Sequence, residues 1–272
     1  IIKILIILII TLAAIVIYLS IYGIKTEKFN NEIKKNVSKI NKNINLSLNE
    51  VNFLLNPLNF SINISAKNPK ILLEDKSLDL RDITTNISLK SFINNQFSID
   101  DLEISTKEIQ IKDLISLTRK VKGSPQLFIL DSITKAGLIS ANINLTFDLD
   151  GEIKKDYQIN GTVKKAKFNI FNQAEIENLN LSFDISKNQL ILRKVETKIN
   201  NIKLKSPLIE VEEKKNRFFI EGEVISDQQN FDINKLKPIL GDLLSTIETE
   251  KIDFNSINTF SFNVNKKLKL ND

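Results

Sequence analysis

The sequence predicts a mainly β protein behind an N-terminal transmembrane helix, with one long antiparallel sheet and few short helices. Three observations lead there: an uncharged apolar run at the start, strict apolar/polar alternation that recurs through the rest, and turn residues between the alternating runs.

The anchor comes first. Residues 1–24 (IIKILIILIITLAAIVIYLSIYGI) hold one charge, Lys3, and the run from Ile4 to Ile24 holds none. That is long enough to cross a bilayer as a helix. Ile4, Leu12 and Ile17 would face lipid tails, and Tyr18 and Tyr22 near one end fit an interfacial aromatic belt. A cleaved signal peptide has a shorter apolar region and a small-residue cleavage site, which this segment lacks. Lys25, Lys28, Lys34, Lys35 and Lys39 follow the anchor, so read alone the positive-inside rule would keep that side in the cytoplasm. The chain has no Met and ends on NKKLKLND; it is expected to be a piece of a longer protein that could carry more basic charge upstream. Charge alone therefore leaves the topology open.

Residues 25–40 follow as an amphipathic helix, with Phe29, Ile33, Val37 and Ile40 at helical spacing. Beyond them alternation dominates. NINLSLNEV, LNFSINIS, ITTNISL, FSIDDLEIS, KEIQIKD, YQINGTV, AKFNIF, LNLSFDIS, QLILRKV, KINNIKLK, LIEVEE, RFFIEGEV and TFSFNVN each read as a strand. The longest example runs from Ile139 to Leu149: Ile139, Ala141, Ile143, Leu145, Phe147 and Leu149 take one side, polar residues the other. Turns are expected at Asn56-Pro57, Asn68-Pro69, Asp150-Gly151 and Asn160-Gly161. DLISLTRKVKG (Asp113 to Gly123) has helix start and stop signals, and residues 234–250 form a second helix candidate weakened by Pro238 and Gly241. Residues 124–137 fit helix or strand. A soft boundary near residues 122–124 separates a segment 41–122 from a segment 123–272.

Composition narrows the chemistry. The 272 residues are 42% hydrophobic and carry 38 basic against 33 acidic residues, with no Cys and no His. The net +5 is spread along the chain with few aromatics beside the lysines, so a nucleic-acid partner is not expected. Without Cys or His, neither a disulfide framework, a thiolate nucleophile nor the usual transition-metal ligands are present. Carboxylates in IDDLE (Asp100, Asp101, Glu103), FDLDGE (Asp148, Asp150, Glu152) and VEEKK (Glu212, Glu213) lie on polar faces or in turns, where solvated surface is the ordinary role. FDLDG lacks the spacing of a calcium loop, and no phosphate-cradling or nucleophile-elbow motif occurs. No cofactor and no enzymatic activity are expected. The sequons at Asn63, Asn86, Asn144 and Asn180 fall out of strand alternation and are read as polar-face residues.

The strands themselves remain. They fit either a closed sandwich core or an open apolar face for acyl chains. An almost purely Ile, Leu, Val and Phe lining, with few helices to cover it, favours the open face.

A membrane helix followed directly by NINLSLNEVNFLLNPLNFSINISAKNPKILL and then DLRDITTNISLKSFINNQFSIDDLEISTKEIQIKDL resembles the AsmA-like family of bacterial envelope proteins. The stretch from Gly137 to Glu223, with LNLSFDIS before LILRKVETKINNIKLKSP, is similar in style to the family's middle repeats. The resemblance implies a twisted antiparallel sheet forming an open groove, or half-pipe. It also implies an inner-membrane anchor, a periplasmic body and transport of phospholipids between the inner and outer membranes. Groove residues would then be Leu46, Leu48, Phe60, Ile62, Ile64, Ile87, Leu89, Ile143, Leu145, Phe147, Leu149, Leu181, Phe183 and Ile185, and the partners membrane lipids and envelope proteins. About 15 strands at ~4.8 Å would span roughly 70 Å, shorter than full-length members of the family. The alternative is a structural or assembly factor for the outer membrane, built from closed sandwiches with no conduit.

Overall fold

The computed structural model describes residues 2–28, 30–31, 33–35, 44–73, 76–94, 96, 98–121, 124–170, 174–215, 217–233 and 250–265. It is mainly β and antiparallel, with an N-terminal apolar helix and few short helices, as the alternation predicts. The chain divides into two units, Ile1–Lys107 with Ala141–Gln158, and Glu108–Ser140 with Ile159–Asp272.

In the first unit, helix α1 (Ile2–Ile21) is apolar throughout and long enough to cross a membrane, with almost every side chain exposed. It does not run straight into a second helix. Gly23, at φ 66°, turns the chain into strand β1 (Ile24–Thr26), and the described helical residues of the expected 25–40 helix are 30–31 and 33–35. Phe29, Val37 and Ile40 lie outside the described residues.

The ladder continues β1, β3 (Val51–Asn56), β4 (Ser61–Lys67), β6 (Lys76–Ser88), β7 (Ile99–Thr106) and the second half of β9 (Thr134–Thr146). A side branch pairs β2 (Ile44–Ser47) with β5 (Lys70–Leu73), and β5 with the start of β6. β4 and β5 act as one strand broken at Asn68-Pro69. Asn68 takes φ 50° and donates its N–H to the Arg81 carbonyl, while the Leu80 N–H reaches the Pro69 carbonyl. The resulting corner closes a small core of Leu46, Leu48, Val51 and Ala66, packed by Ile33, Phe53, Ile64, Ile71 and Ile83. Leu80 beside the corner is fully buried.

In the second unit, β8 (Ile109–Gln110) pairs with the first half of β9, followed by β10 (Gln158–Ile170), β11 (Ala174–Ser186), β12 (Gln189–Ile199), β13 (Ile202–Lys214), β14 (Arg217–Asp232) and β15 (Lys251–Asn265). Several sequence runs fuse into longer strands. YQINGTV and AKFNIF make β10, interrupted by a bulge at Lys165; β11 and β12 carry matching irregularities at Asn178 and Lys194. All three bulge residues have φ near 50°, and each shifts the apolar positions by one, so Val163 is followed by Ala166, Ile176 by Leu179, and Leu192 by Val195.

One turn expectation and one strand expectation need correction. Asn160-Gly161 is no turn: Gly161 sits inside β10, where a side chain would collide with the Ser140 carbonyl and the Phe183 ring. KINNIKLK is no single strand: Asn200 and Asn201, both at positive φ, form the two-residue turn between β12 and β13.

Helix α2 (Leu89–Ile93) follows β6, capped by the Ser88 hydroxyl, which accepts the Ser91 N–H. Helix α3 (Ile111–Val121) begins two residues before the expected Asp113, because Ile111 and Ile115, one turn apart, both pack on Ala166. The ambiguous 124–137 segment divides: α4 (Pro125–Ile133), with Ser124 as cap and Pro125 at its start, gives way to β9 at Thr134. Arg119 of α3 pairs with Asp131 of α4 and lies 5.1 Å from the Phe128 ring centre. The helix expected near 234–250 falls almost entirely outside the described residues.

Candidate functional site

Residues paired across an antiparallel ladder share a face, so the register reads each face row by row. In the first unit, Ile24, Phe53, Ile64, Thr85, Leu102 and Leu145 make one row across six strands. Thr26, Val51, Ala66, Ile83, Ile104 and Ile143 make the other row of that face. The row between them, Lys25, Asn52, Ser65, Thr84, Glu103 and Asn144, is polar and belongs to the opposite face.

The second unit repeats the scheme. Ile159, Ile185, Leu190, Val211, Ile220 and Phe262 form one row from β10 to β15. Gly161, Phe183, Leu192, Ile209, Gly222 and Phe260 form the next. The two glycines in that second row face phenylalanine rings on the neighbouring strand, Phe183 beside Gly161 and Phe260 beside Gly222. Each ring occupies the space a Cβ would take, so the apolar row stays continuous where a side chain is missing.

Burial distinguishes the parts of this face. Under α3, Ala166 is fully buried, with Val163, Phe168 and Leu179 around it. Along the two rows, Phe183 is buried and the aliphatic residues are half-buried, while Phe262 at the edge is 41% exposed. Among the described residues, the strands of this unit all belong to one ladder, each paired with its neighbour, and none forms a separate sheet.

The opposite face is ionic. Lys167 binds Glu175 at 2.6 Å and Glu177 at 2.9 Å, and these hydrogen bonds raise its pKa. Arg193 meets Asp184 at 3.5 Å, and Lys205 meets Glu196 at 4.0 Å. The sequon asparagines sit here too. Asn63 donates to Asn86 at 2.9 Å, Asn86 donates to both Asp101 oxygens, and Asn180 accepts the Lys165 N–H at 3.0 Å. The Asp100 carboxyl is pushed above its ordinary value by partial burial, then by repulsion from Asp101, with Lys154 pulling the other way. An open hollow of about 500 Å³ borders Glu210, Glu221 and Glu223. Among the described residues no group of His, Cys, Asp or Glu is arranged to hold a metal ion.

The expected groove residues scatter over several environments. Ile62, Ile64, Ile87, Ile143 and Leu145 lie half-buried on the apolar face of the first unit. Leu181, Phe183 and Ile185 lie on that of the second. Leu46 and Leu48 are instead enclosed in the corner core. Phe60, at φ 49°, belongs to the β3–β4 turn, and Leu89 opens α2. Phe147 forms a bridge with Ile153 just beyond β9, and Leu149 is 56% exposed in the following turn. Ile4, Leu12, Ile17 and Tyr18 lie exposed on α1, with Tyr22 one residue past its end. Sequence alternation missed Leu192, Ile209, Val211 and Ile220 as members of the same rows. The signal was present in QLILRKV, LIEVEE and RFFIEGEV, but only register aligns them.

The class of protein defined here is an open, two-faced antiparallel sheet protein, aliphatic on one side and ionic on the other, with an N-terminal helix long and apolar enough to cross a membrane. No protein family, curated protein or solved structure matches the chain.

Proposed function

We propose that this protein is a membrane-anchored lipid carrier, in which the apolar sheet face solvates acyl chains while head groups stay in water. The observation that carries the reading is the pair of continuous apolar rows from β10 to β15, half-buried in a ladder whose described strands form one open sheet. Six strands at ~4.8 Å spacing make each row about 24 Å long, more than the ~15 Å hydrocarbon depth of one leaflet. Each methylene moved from water onto such a surface contributes about 0.8 kcal/mol. The lining is uniformly aliphatic and aromatic, so it offers many equivalent positions and no deep polar trap. That suits movement along the face better than tight capture of one molecule.

The resemblance to the AsmA-like family extends the proposal: α1 sits in the inner membrane of a diderm bacterium, the body lies in the periplasm, and the cargo is phospholipid passing between the two membranes. Photocrosslinking residues placed at Leu192 and Ile209, with Glu210 as the polar-face control, test it in cells expressing the full chain. Phospholipid adducts at Leu192 and Ile209 but not at Glu210 are expected. Protein adducts in their place would support an assembly factor, and equal labelling at all three positions would remove the basis for a carrier.

A further inference from the structure

The ladder register of the first unit gives direction to its two ends. At one end lies the row Asn56, Ser61 and Ser88, beyond which come the β3–β4 turn and helix α2. The two are joined directly, since the Leu89 N–H donates to the Phe60 carbonyl at 3.0 Å. This end presents Leu58 at 95% exposure, Phe60 at 51%, Phe92 at 65% and Ile93 at 67%. Turns and short helices that face only water are normally polar; four large apolar side chains at one strand end are a patch of the kind that marks a binding surface.

The membrane helix leaves the sheet toward the same end. Ile24 pairs with Phe53 and Lys25 with Asn52 in antiparallel register, so the chain before Ile24 runs along β3 toward Asn56. Gly23 is consistent with that course, as its nearest neighbours include the Phe53 carbonyl and the Leu54 side chain. Tyr18 and Tyr22, with ring centres 5.3 Å apart, occupy the end of α1 that adjoins the sheet. The four steps of strand and turn from Leu54 to Leu58 cover only about 13 Å.

We infer that this end of the first unit seats in the bilayer interface beside α1, with Leu58, Phe60, Phe92 and Ile93 inserted among the lipids at the Tyr18/Tyr22 level. The occupant is the leaflet in which α1 ends, because the same short stretch of chain ties helix and patch together. An inserted depth of about 5–10 Å is typical of interfacial apolar residues. Lys90, exposed between the two pairs in sequence, can keep its ammonium among head groups while its stem follows the apolar residues down. Such seating holds the sheet at the membrane surface instead of letting it swing on a flexible tether. The inference stands apart from the carrier reading and requires only that α1 spans the bilayer.

The chain contains no Cys, so a single introduced one is a unique label. Leu58→Cys, Phe92→Cys and Ile93→Cys, each carrying an environment-sensitive fluorophore, are reconstituted as full chains in phosphatidylcholine/phosphatidylglycerol vesicles. Ile10→Cys serves as the buried reference and Lys67→Cys, at the other end of β4, as the aqueous one. Loss of emission to lipids with a spin label high on the acyl chain, together with protection from iodide, is expected at positions 58, 92 and 93. Iodide quenching at those three positions, equal to that at Lys67 while Ile10 stays protected, would overturn the inference. So would protection that appears only when other envelope proteins are added. An aqueous signal at Ile10 would overturn it by removing the span on which it depends.

Discussion

Gly161→Ala isolates the device that keeps the second apolar row unbroken. An alanine Cβ at this position would lie 2.2 Å from the Ser140 carbonyl oxygen and 2.7 Å from the tip of the Phe183 ring. The ring can rotate away, but the carbonyl belongs to the neighbouring strand and can move only if the backbone moves. Overpacking of this kind costs about 1–3 kcal/mol. Stiffening the unfolded chain returns about 0.4–1 kcal/mol, leaving a net loss of about 1–2 kcal/mol. Gly222→Ala meets the Leu208 carbonyl at 2.9 Å and the Phe260 ring at 2.9 Å, so its cost should be smaller. Thermal unfolding in detergent micelles, followed by circular dichroism, reads the difference at about 2–4 °C per kcal/mol. In the double variant Gly161→Ala/Phe183→Leu the cavity adds to the collision, so the ring's removal should not rescue stability. A Gly161→Ala protein as stable as the parent, or one more stable than Gly222→Ala, would refute the steric account.

Other outcomes follow from single positions. Lys194 holds φ 51° at its bulge, where a β-branched residue is strongly disfavoured. Lys194→Val should lower stability by about 1–2 kcal/mol and Lys194→Gly should be close to neutral; equal effects in unfolding curves would count against the bulge assignment. Leu80→Ala empties a fully buried site beside the β4–β5 corner and should cost about 2–5 kcal/mol by the same measurement. Asp100 has a raised pKa in the folded chain, from burial first and Asp101 second. Its folded state therefore holds the proton to higher pH than the unfolded state, and its contribution is favourable in acid and lost as pH rises through the folded value. Asp100→Asn should raise the melting temperature near neutral pH, with the gain vanishing below the ordinary aspartate value of about 3.9. A gain that persists in acid would point to a cause other than charge.

Period-two alternation made the strands legible, and the bulges were legible too once the apolar spacing is counted. Val163 to Ala166, Ile176 to Leu179 and Leu192 to Val195 each step by three, and each step brackets a residue at positive φ. What alternation could not supply was the partner of each strand. Asn160-Gly161 reads as a turn because nothing local reveals that Phe183, a strand away, will fill the space beside the glycine. Leu46 and Leu48 read as groove residues because their alternation matches that of Leu145. Only the break at Asn68-Pro69 folds the sheet over them and turns a face into a core. The exposed residues Leu58 and Phe60 read as the start of a strand for the same reason, since LNFSINIS alternates before β4 begins.

These differences bear on function, because they sort identical side chains by what lies above them. Ile143 and Leu145 have Ile104 and Leu102 beside them in their rows, yet both stay only half-buried. Lateral packing within one sheet covers the flanks of a side chain and leaves its tip. A core adds a second layer to cover the tips, as Ile111 and Ile115 of α3 do over Ala166. Among the described residues, Leu190, Val211 and Ile220 belong to no such cluster with a helix and stay half-buried, and under the carrier reading they form an apolar strip whose remaining hydration a ligand would relieve. The free energy still to be gained there is spread over many similar residues instead of concentrated in one pocket, which is the arrangement a sliding hydrocarbon cargo needs. Crosslinks from adjacent row positions should therefore differ little in yield, whereas a specific pocket would give one dominant site.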